Sequence, residues 1–161
     1  MTTTGHAIDP NLDLVLEREV DVPPELVWAA WTTPEHLVKW FTPKPFETAE
    51  VEIDPRPGGI FRVVMRSPEG DLMDQGAGCI LEAVEHRRLV WTGALGPGFR
   101  PNHSELAFTA VITMEPSGSG TRYRAVAMHG EPELKARHEE MGFAEGWGAA
   151  LDQLVELAKS L

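Results

Sequence analysis

A glycine-rich segment near the C-terminus constrains this chain more than any other feature. The segment HEEMGFAEGWGAALDQL, from His138 to Leu154, has the apolar spacing of an amphipathic helix but includes Gly142, Gly146 and Gly148. Each glycine in a helix interior costs about 1 kcal/mol relative to alanine. A helix that keeps three of them carries little side-chain bulk on part of its surface. The sequence therefore predicts that this helix either packs very closely on a neighbouring layer or lines a space.

The residues before this helix alternate between apolar and polar side chains, which is typical of strands. The predicted strands are residues 12–21, 46–54, 60–66, 73–85, 87–94, 105–115 and 121–129. Two short helices are expected after the first strand, because Pro23-Pro24-Glu25 and Thr33-Pro34-Glu35 are helix-start signals with proline in the first turn. The last helix is expected to run without a break from Glu131 to about Lys159.

This order of elements predicts an α+β fold. Strands that are segregated from a terminal helix indicate an antiparallel sheet of about six to seven strands with one long helix on one face. A curved sheet that grips a helix leaves a space between the two layers. With 161 residues, we expect one domain, from residue 12 to residue 161, after a flexible tail of residues 1–11.

Charge and cysteine content exclude several classes of function. The net charge of −11 and the pI of about 4.9 argue against binding to nucleic acid or to an anionic membrane. A single cysteine, Cys79, excludes a disulfide framework within the chain and fits a reducing compartment. The first residues lack the pattern of a secretory signal, and no segment is apolar for long enough to span a bilayer. A cytoplasmic location is therefore expected.

The motifs of common catalytic and metal sites are missing from the sequence. It contains no HExxH, CxxC, GxSxG, P-loop or GxGxxG pattern, so no metal or cofactor is expected. The one histidine that strand alternation places inward is His129, on the same face as Tyr123. It is interpreted either as a hydrogen-bonded residue at the strand end or as a polar anchor or general base. Glu145 is its candidate acidic partner, although solvent exposure of Glu145 is also expected.

Several motifs resemble the START-like, helix-grip superfamily, and within it the branch named for the activator of heat-shock protein 90 ATPase. They are Val22 to Trp28, Trp40-Phe41, Asp54 to Phe61 (DPRPGGIF), Arg88 to Thr92 (RLVWT), Met141 to Phe143, and Glu145 to Leu151. The likeness spans roughly residues 12–160. It implies a curved antiparallel sheet wrapped around a long C-terminal helix. It also implies hydrophobic-ligand binding, a link to the stress response, and no shared catalytic set.

Three functions remain open from the sequence. The first is binding of an apolar small molecule between the helix and the sheet. The second is an enzyme of the polyketide cyclase, dehydratase or hydrolase type that uses His129 and an acid. The third is a co-chaperone-type module, although the additional N-terminal domain of the eukaryotic co-chaperone has no counterpart in this chain. A homodimer is compatible with a domain of this size.

The binding hypothesis predicts which residues line the cavity. They are Trp31, Trp40, Phe61, Met65, Trp91, Phe108, Tyr123, His129, Met141, Phe143, Trp147 and Leu151.

Overall fold

The computed structural model describes residues 7–161. Its strands are β1 (Asp13–Val20), β2 (Glu47–Ile53), β3 (Ile60–Arg66), β4 (Leu72–Asp74), β5 (Gly78–Val84), β6 (Arg88–Thr92), β7 (Leu95–Gly96), β8 (Arg100–Pro101), β9 (Phe108–Ser117) and β10 (Gly120–His129). Its α-helices are α1 (Pro24–Thr32), α2 (Pro34–Trp40), α3 (Pro132–Glu140) and α4 (Phe143–Ala158), and a 3-10 turn covers Pro97–Phe99. Among the helices of this part of the chain, none is long and apolar enough to cross a membrane.

One antiparallel sheet forms the body of the molecule. Its strand order is β1-β10-β9-β6-β5-β3-β2, and the short β4 pairs with β3 as an eighth strand. The strands β7 and β8 form a separate two-stranded ribbon. The sheet curls around the terminal helix, with α1 and α2 inserted between β1 and β2. The predicted α+β, helix-grip fold is confirmed.

The core lies between the inner face of the sheet and α4. Alternation along β9 places Ala110, Ile112 and Met114 on that face, and all three are fully buried. From the opposite side, α4 contributes Leu151 and Leu154 to the same apolar cluster. Burying large apolar side chains of this kind stabilises each by about 1.5–3 kcal/mol. The apolar face of the strands, with its period of two residues, therefore packs against the apolar face of the helix, with its period of three to four, in one core.

The predicted uninterrupted terminal helix is wrong, because the helix breaks between Glu140 and Phe143. Met141 ends α3, and Gly142 has a φ of 93°, in the left-handed region that glycine adopts without steric cost. The break lets α3 and α4 take different directions. Gly142 is thus a hinge between two helices and not an interior helix residue.

The long strand predicted for residues 73–85 is also divided in two. Gly76 has a φ of 87°, and the chain leaves the sheet between β4 and β5. Beyond the break, Gly78 packs so closely that a Cβ would lie 2.7 Å from the carbonyl oxygen of Thr92. The two glycines therefore mark an interruption of the sheet, a larger irregularity than the bulge or bend that the sequence indicates.

Only part of the predicted N-terminal tail is described. Residues 1–6 lie outside the described residues. The exposed residues that follow form a turn in which the backbone N–H of Asp13 donates to the carbonyl of Asp9, at 2.8 Å. The division into a tail and one domain stays a prediction.

The two glycines inside α4 have different surroundings. A Cβ on Gly146 would meet only Pro43 Cγ, at an ordinary contact distance of 3.9 Å. A Cβ on Gly148 would lie 3.0 Å from Arg18 Nη2. The Arg18 guanidinium crosses from β1 and donates to Asp152 Oδ1 at 2.7 Å and to the carbonyl of Gly148 at 3.5 Å. Close approach thus explains Gly148, whereas Gly146 borders open space.

We expect the substitutions Gly146→Ala and Gly148→Ala to differ in stability. Gly146→Ala should raise the free energy of unfolding by about 0.5–1 kcal/mol, since alanine favours the helix. Gly148→Ala should gain less, because its methyl group displaces the Arg18 guanidinium. In an Arg18→Ala background, Gly148→Ala should recover the full gain. Urea denaturation of the four variants measures this, and an equal gain from Gly148→Ala in both backgrounds would contradict the explanation.

Candidate functional site

A cavity of about 350 Å³ lies between the helices α3 and α4 and the inner face of the sheet. Eleven of the twelve residues predicted to line a cavity lie around it, contributed by α1, α2, four strands of the sheet and the terminal helices. They are Trp31, Trp40, Phe61, Met65, Trp91, Phe108, Tyr123, Met141, Phe143, Trp147 and Leu151. The structure therefore brings this set together, while its role in binding stays a prediction.

Aromatic rings that pack on one another form the deep wall of the cavity. Trp91 stacks on Phe61 with ring centroids 4.3 Å apart and planes 20° from parallel. Trp31 meets Trp40 edge-to-face at 4.9 Å. Pairs with these geometries contribute roughly 0.5–1.5 kcal/mol beyond the area they bury. The wall is therefore held in shape by contacts among its own residues.

The three tryptophans of this wall differ in their hydrogen bonding. Trp31 Nε1–H donates to the Tyr123 hydroxyl at 3.2 Å, and Trp40 Nε1–H donates to the carbonyl of Ala30 at 2.8 Å. Trp91 is 7% exposed, and its Nε1 is the single buried side-chain nitrogen or oxygen without a partner in residues 7–161. A buried donor without a partner costs about 1–3 kcal/mol. The cavity wall thus contains one hydrogen-bond donor that the protein leaves unused.

His129 points inward, as predicted, but it does not line the cavity. Its Nδ1 lies 2.8 Å from the carbonyl oxygen of Leu12, and its Nε2 lies 2.9 Å from His138 Nδ1. The His138 ring, from α3, and Phe108 pack against it. His138 is the histidine that reaches the cavity. The expected cavity position of His129 is therefore corrected to His138.

The partners of the two histidines define where their protons lie. A carbonyl oxygen only accepts, so His129 Nδ1 carries a hydrogen and donates it to Leu12. With one proton on each ring, His129 Nε2 accepts from His138 Nδ1–H, and the lone pair of His138 stays on Nε2. Burial, with a contribution from the nearby His129, lowers the pKa of His138 to about 4. His138 is therefore neutral at physiological pH, with an accepting Nε2.

The predicted acidic partner of His129 is not in the site. Glu145 is exposed on the first turn of α4 and is absent from the residues around the cavity. In the described part of the chain, no hydrogen bond or ion pair joins it to either histidine. Met141 is 67% exposed and contributes only to the rim. The residues in place do not form a carboxylate–histidine pair.

Sequence reasoning missed several residues of the cavity. His138 is not among the residues predicted to line the cavity, whereas its position four residues before the Gly142 hinge places it over the cavity. Other missed residues come from two loops that carry no periodic signal: Gln75, Gly76 and Ala77 before β5, and Asn102, Ser104 and Leu106 before β9. The signal that could have found His138 was the glycine itself, had it been interpreted as a helix break.

Among the described residues around the cavity, none is Asp, Glu, Lys or Arg. Rim polar groups such as Thr92 and Asn102 already bond to neighbouring protein atoms. No group of three potential metal ligands occurs in residues 7–161. The site is a partly open cavity with an uncharged wall, many aromatic rings and few polar atoms.

A family model described as "Activator of Hsp90 ATPase homolog 1-like protein" matches residues 21–159. This chain belongs to that family. No curated protein gives a significant match. Among solved structures, this family member is similar to protein NE0264 from Nitrosomonas europaea, with 50% identity over 95% of this chain and 97% of that one, and a TM-score of 0.91.

More distant structures share the same fold. Protein Ms6760 from Mycobacterium smegmatis is 27% identical over 91% of this chain and 90% of its own, with a TM-score of 0.76. A protein from Rhodobacter sphaeroides is 21% identical over 96% and 97% of the two chains, with a TM-score of 0.82. The helix-grip fold of this Activator of Hsp90 ATPase homolog 1-like protein is therefore common to proteins of very different sequence.

The lowered pKa of His138 predicts a pH dependence of stability. Between pH 6.5 and about 4, the unfolded chain binds a proton that the folded protein excludes, so the free energy of unfolding falls as the pH falls. The effect should reach about 2–3 kcal/mol, at ~1.4 kcal/mol per pKa unit. Denaturation of His138→Phe across this range should show a flatter profile, whereas exposed His103→Gln should keep the wild-type profile. Identical profiles for wild type and His138→Phe would contradict it.

Proposed function

We propose that this protein binds a small apolar molecule in the cavity between α4 and the sheet, without a dedicated catalytic set. The observation that carries the proposal is a partly open cavity of about 350 Å³ whose wall includes nine Trp, Phe and Tyr side chains. Small-molecule sites typically measure ~300–1,000 Å³ and combine apolar walls with a few polar groups. Both the size and the composition of this cavity fall within that description.

A cavity of this size is not ordinary packing. Protein interiors are packed as densely as organic crystals, and voids larger than a water molecule are few. Here the empty space lies beside Gly146, where a side chain would have room. The aromatic side chains around this space pack against one another, so they do not turn inward to fill it. The space is therefore better explained by a ligand than by a loosely packed core.

The family description and the geometry support the other two hypotheses less strongly. The description refers to activation of Hsp90 ATPase, which supports an interaction role only through the name of the family. The enzyme hypothesis relied on His129 and a carboxylate, but Glu145 is exposed and His129 is covered by His138. Binding is the function for which the site has the required parts. A cytoplasmic location and homodimerisation stay predictions.

Filling the cavity from α4 tests this proposal. Gly146→Leu places a branched side chain beside Pro43 on the cavity wall, whereas Ala144→Leu adds the same kind of bulk on the exposed side of the helix. Thermal shift with a panel of long-chain alcohols, fatty acids and polycyclic aromatics should identify ligands of the wild type. Calorimetry should then show that Gly146→Leu weakens their binding by at least tenfold, about 1.4 kcal/mol.

The control variant Ala144→Leu should bind within about twofold of the wild type, since twofold is only ~0.4 kcal/mol. The proposal fails if no member of the panel stabilises the wild type. It also fails if Gly146→Leu and Ala144→Leu bind the panel equally well, because the ligand would then lie elsewhere.

A further inference from the structure

We propose that the cavity recognises an uncharged, ring-containing molecule by two hydrogen bonds: Trp91 Nε1–H donates to an acceptor on the ligand, and His138 Nε2 accepts from a hydroxyl of the ligand. This inference rests on the proposed function, since it names the class of ligand for the same cavity. His129 takes part as a positioning residue, because it fixes which nitrogen His138 presents.

The first anchor is the unused donor of Trp91. Its ring lines the cavity, and the residue is only 7% exposed. Its Nε1 has no hydrogen-bond partner among the described residues. The neighbouring Trp31 and Trp40 both donate to protein oxygens. An acceptor atom on a ligand would remove the desolvation cost of this donor. Nε1 is fully covered in this structure, so a ligand acceptor reaches it only when the neighbouring rings shift.

The second anchor is the accepting nitrogen of His138. Its Nδ1 is occupied by His129 Nε2 at 2.9 Å, and His129 is itself held by the carbonyl of Leu12. These two hydrogen bonds orient the His138 ring, which is 6% exposed and borders the cavity. Its Nε2 has no hydrogen-bond partner in residues 7–161 and is not among the fully buried atoms without a partner. This nitrogen therefore keeps some accessible surface, on a ring that borders the cavity, and we place the donating ligand hydroxyl there.

The wall composition determines the charge of the ligand. A charged group buried without an opposite charge is strongly disfavoured. In the described residues around this cavity, no side chain carries a formal charge, and neutral His138 supplies none. A carboxylate or an ammonium group would therefore have no counterpart inside. This excludes anions such as fatty-acid headgroups from the deep part of the site.

The rings of Trp91 and His138 both pack against the ring of Phe108, which limits the distance that a ligand must span between the two anchors. The Phe108 ring centroid is 5.5 Å from that of Trp91 and 4.6 Å from that of His138. A molecule that lies against Phe108 can therefore reach both sides with one or two rings of its own. Flat rings also match the stacked surface of Trp91 and Phe61.

A set of four matched probes tests this inference by calorimetry. 4-Hydroxybenzophenone carries a hydroxyl and a carbonyl; 4-methoxybenzophenone lacks the donor; 4-benzylphenol lacks the carbonyl; 4-benzoylbenzoic acid is an anion. The first probe should bind about three- to tenfold more tightly than each of the next two, the range of one neutral hydrogen bond. The anion should bind more weakly than all three at pH 6.0, where the phenol of the first probe is neutral and the carboxylic acid is ionised.

Two variants assign each hydrogen bond to its residue. Trp91→Phe should abolish the preference for the carbonyl probe over 4-benzylphenol, and His138→Phe should abolish the preference for hydroxyl over methoxy. Trp147→Phe, another aromatic wall substitution, should weaken all probes alike and keep both preferences. If a variant does not fold, the wild-type probe series still shows whether the ligand's hydroxyl and carbonyl each strengthen binding.

The inference is overturned if the wild type lacks either preference, or if either preference survives in the variant that removes its assigned residue. It is also overturned if the benzophenones do not bind while apolar alcohols do, in which case the proposed function stands alone. If neither the benzophenones nor any other apolar molecule binds, the proposed function fails as well.

Discussion

The left-handed backbone of Gly142 is the constraint on which the site depends. A residue with a Cβ pays roughly 1–2 kcal/mol in this conformation, so glycine is the residue that allows the chain to turn here. Before the turn, α3 carries His138 over the end of β10; after it, α4 presents Phe143 and Leu151 to the sheet. The break thus places side chains of both α3 and α4 around the cavity.

The sheet could be predicted from the sequence because alternation depends on local pattern alone. Ala110, Ile112 and Met114 alternate strictly, and all three are buried in the core as that alternation requires. The break at Gly142 could not be predicted in the same way. Apolar spacing continues on both sides of it, and an interior glycine costs a helix only about 1 kcal/mol. Whether such a glycine ends the helix is decided by tertiary contacts, here those of His138 with His129 of β10 and of Phe143 with Leu14 of β1.

The same limit applies to the histidines. Strand alternation placed His129 on the inner face, and that orientation is what the structure shows. Which ring lies between it and the cavity depends on how α3 folds back over β10, and the periodicity of β10 has no information about that. The hydrogen bond between His129 and His138 joins residues only nine positions apart, yet it requires the chain to turn between them. Local patterns thus predicted most of the wall of the site, Trp91 included, but not His138.

The charged side chains of this acidic protein lie at its surface, whereas the wall of its cavity is uncharged. The charged side chains that form ion pairs, such as Arg18 with Asp152 and Arg62 with Asp74, are largely on the surface, where such pairs contribute little to stability. Inside, Trp91 Nε1 is the one fully buried side-chain nitrogen or oxygen without a protein partner in residues 7–161, and His138 Nε2 also has none. In the described residues around the cavity no side chain carries a formal charge, so the proposed ligand would be selected by shape and hydrogen bonding and not by charge attraction.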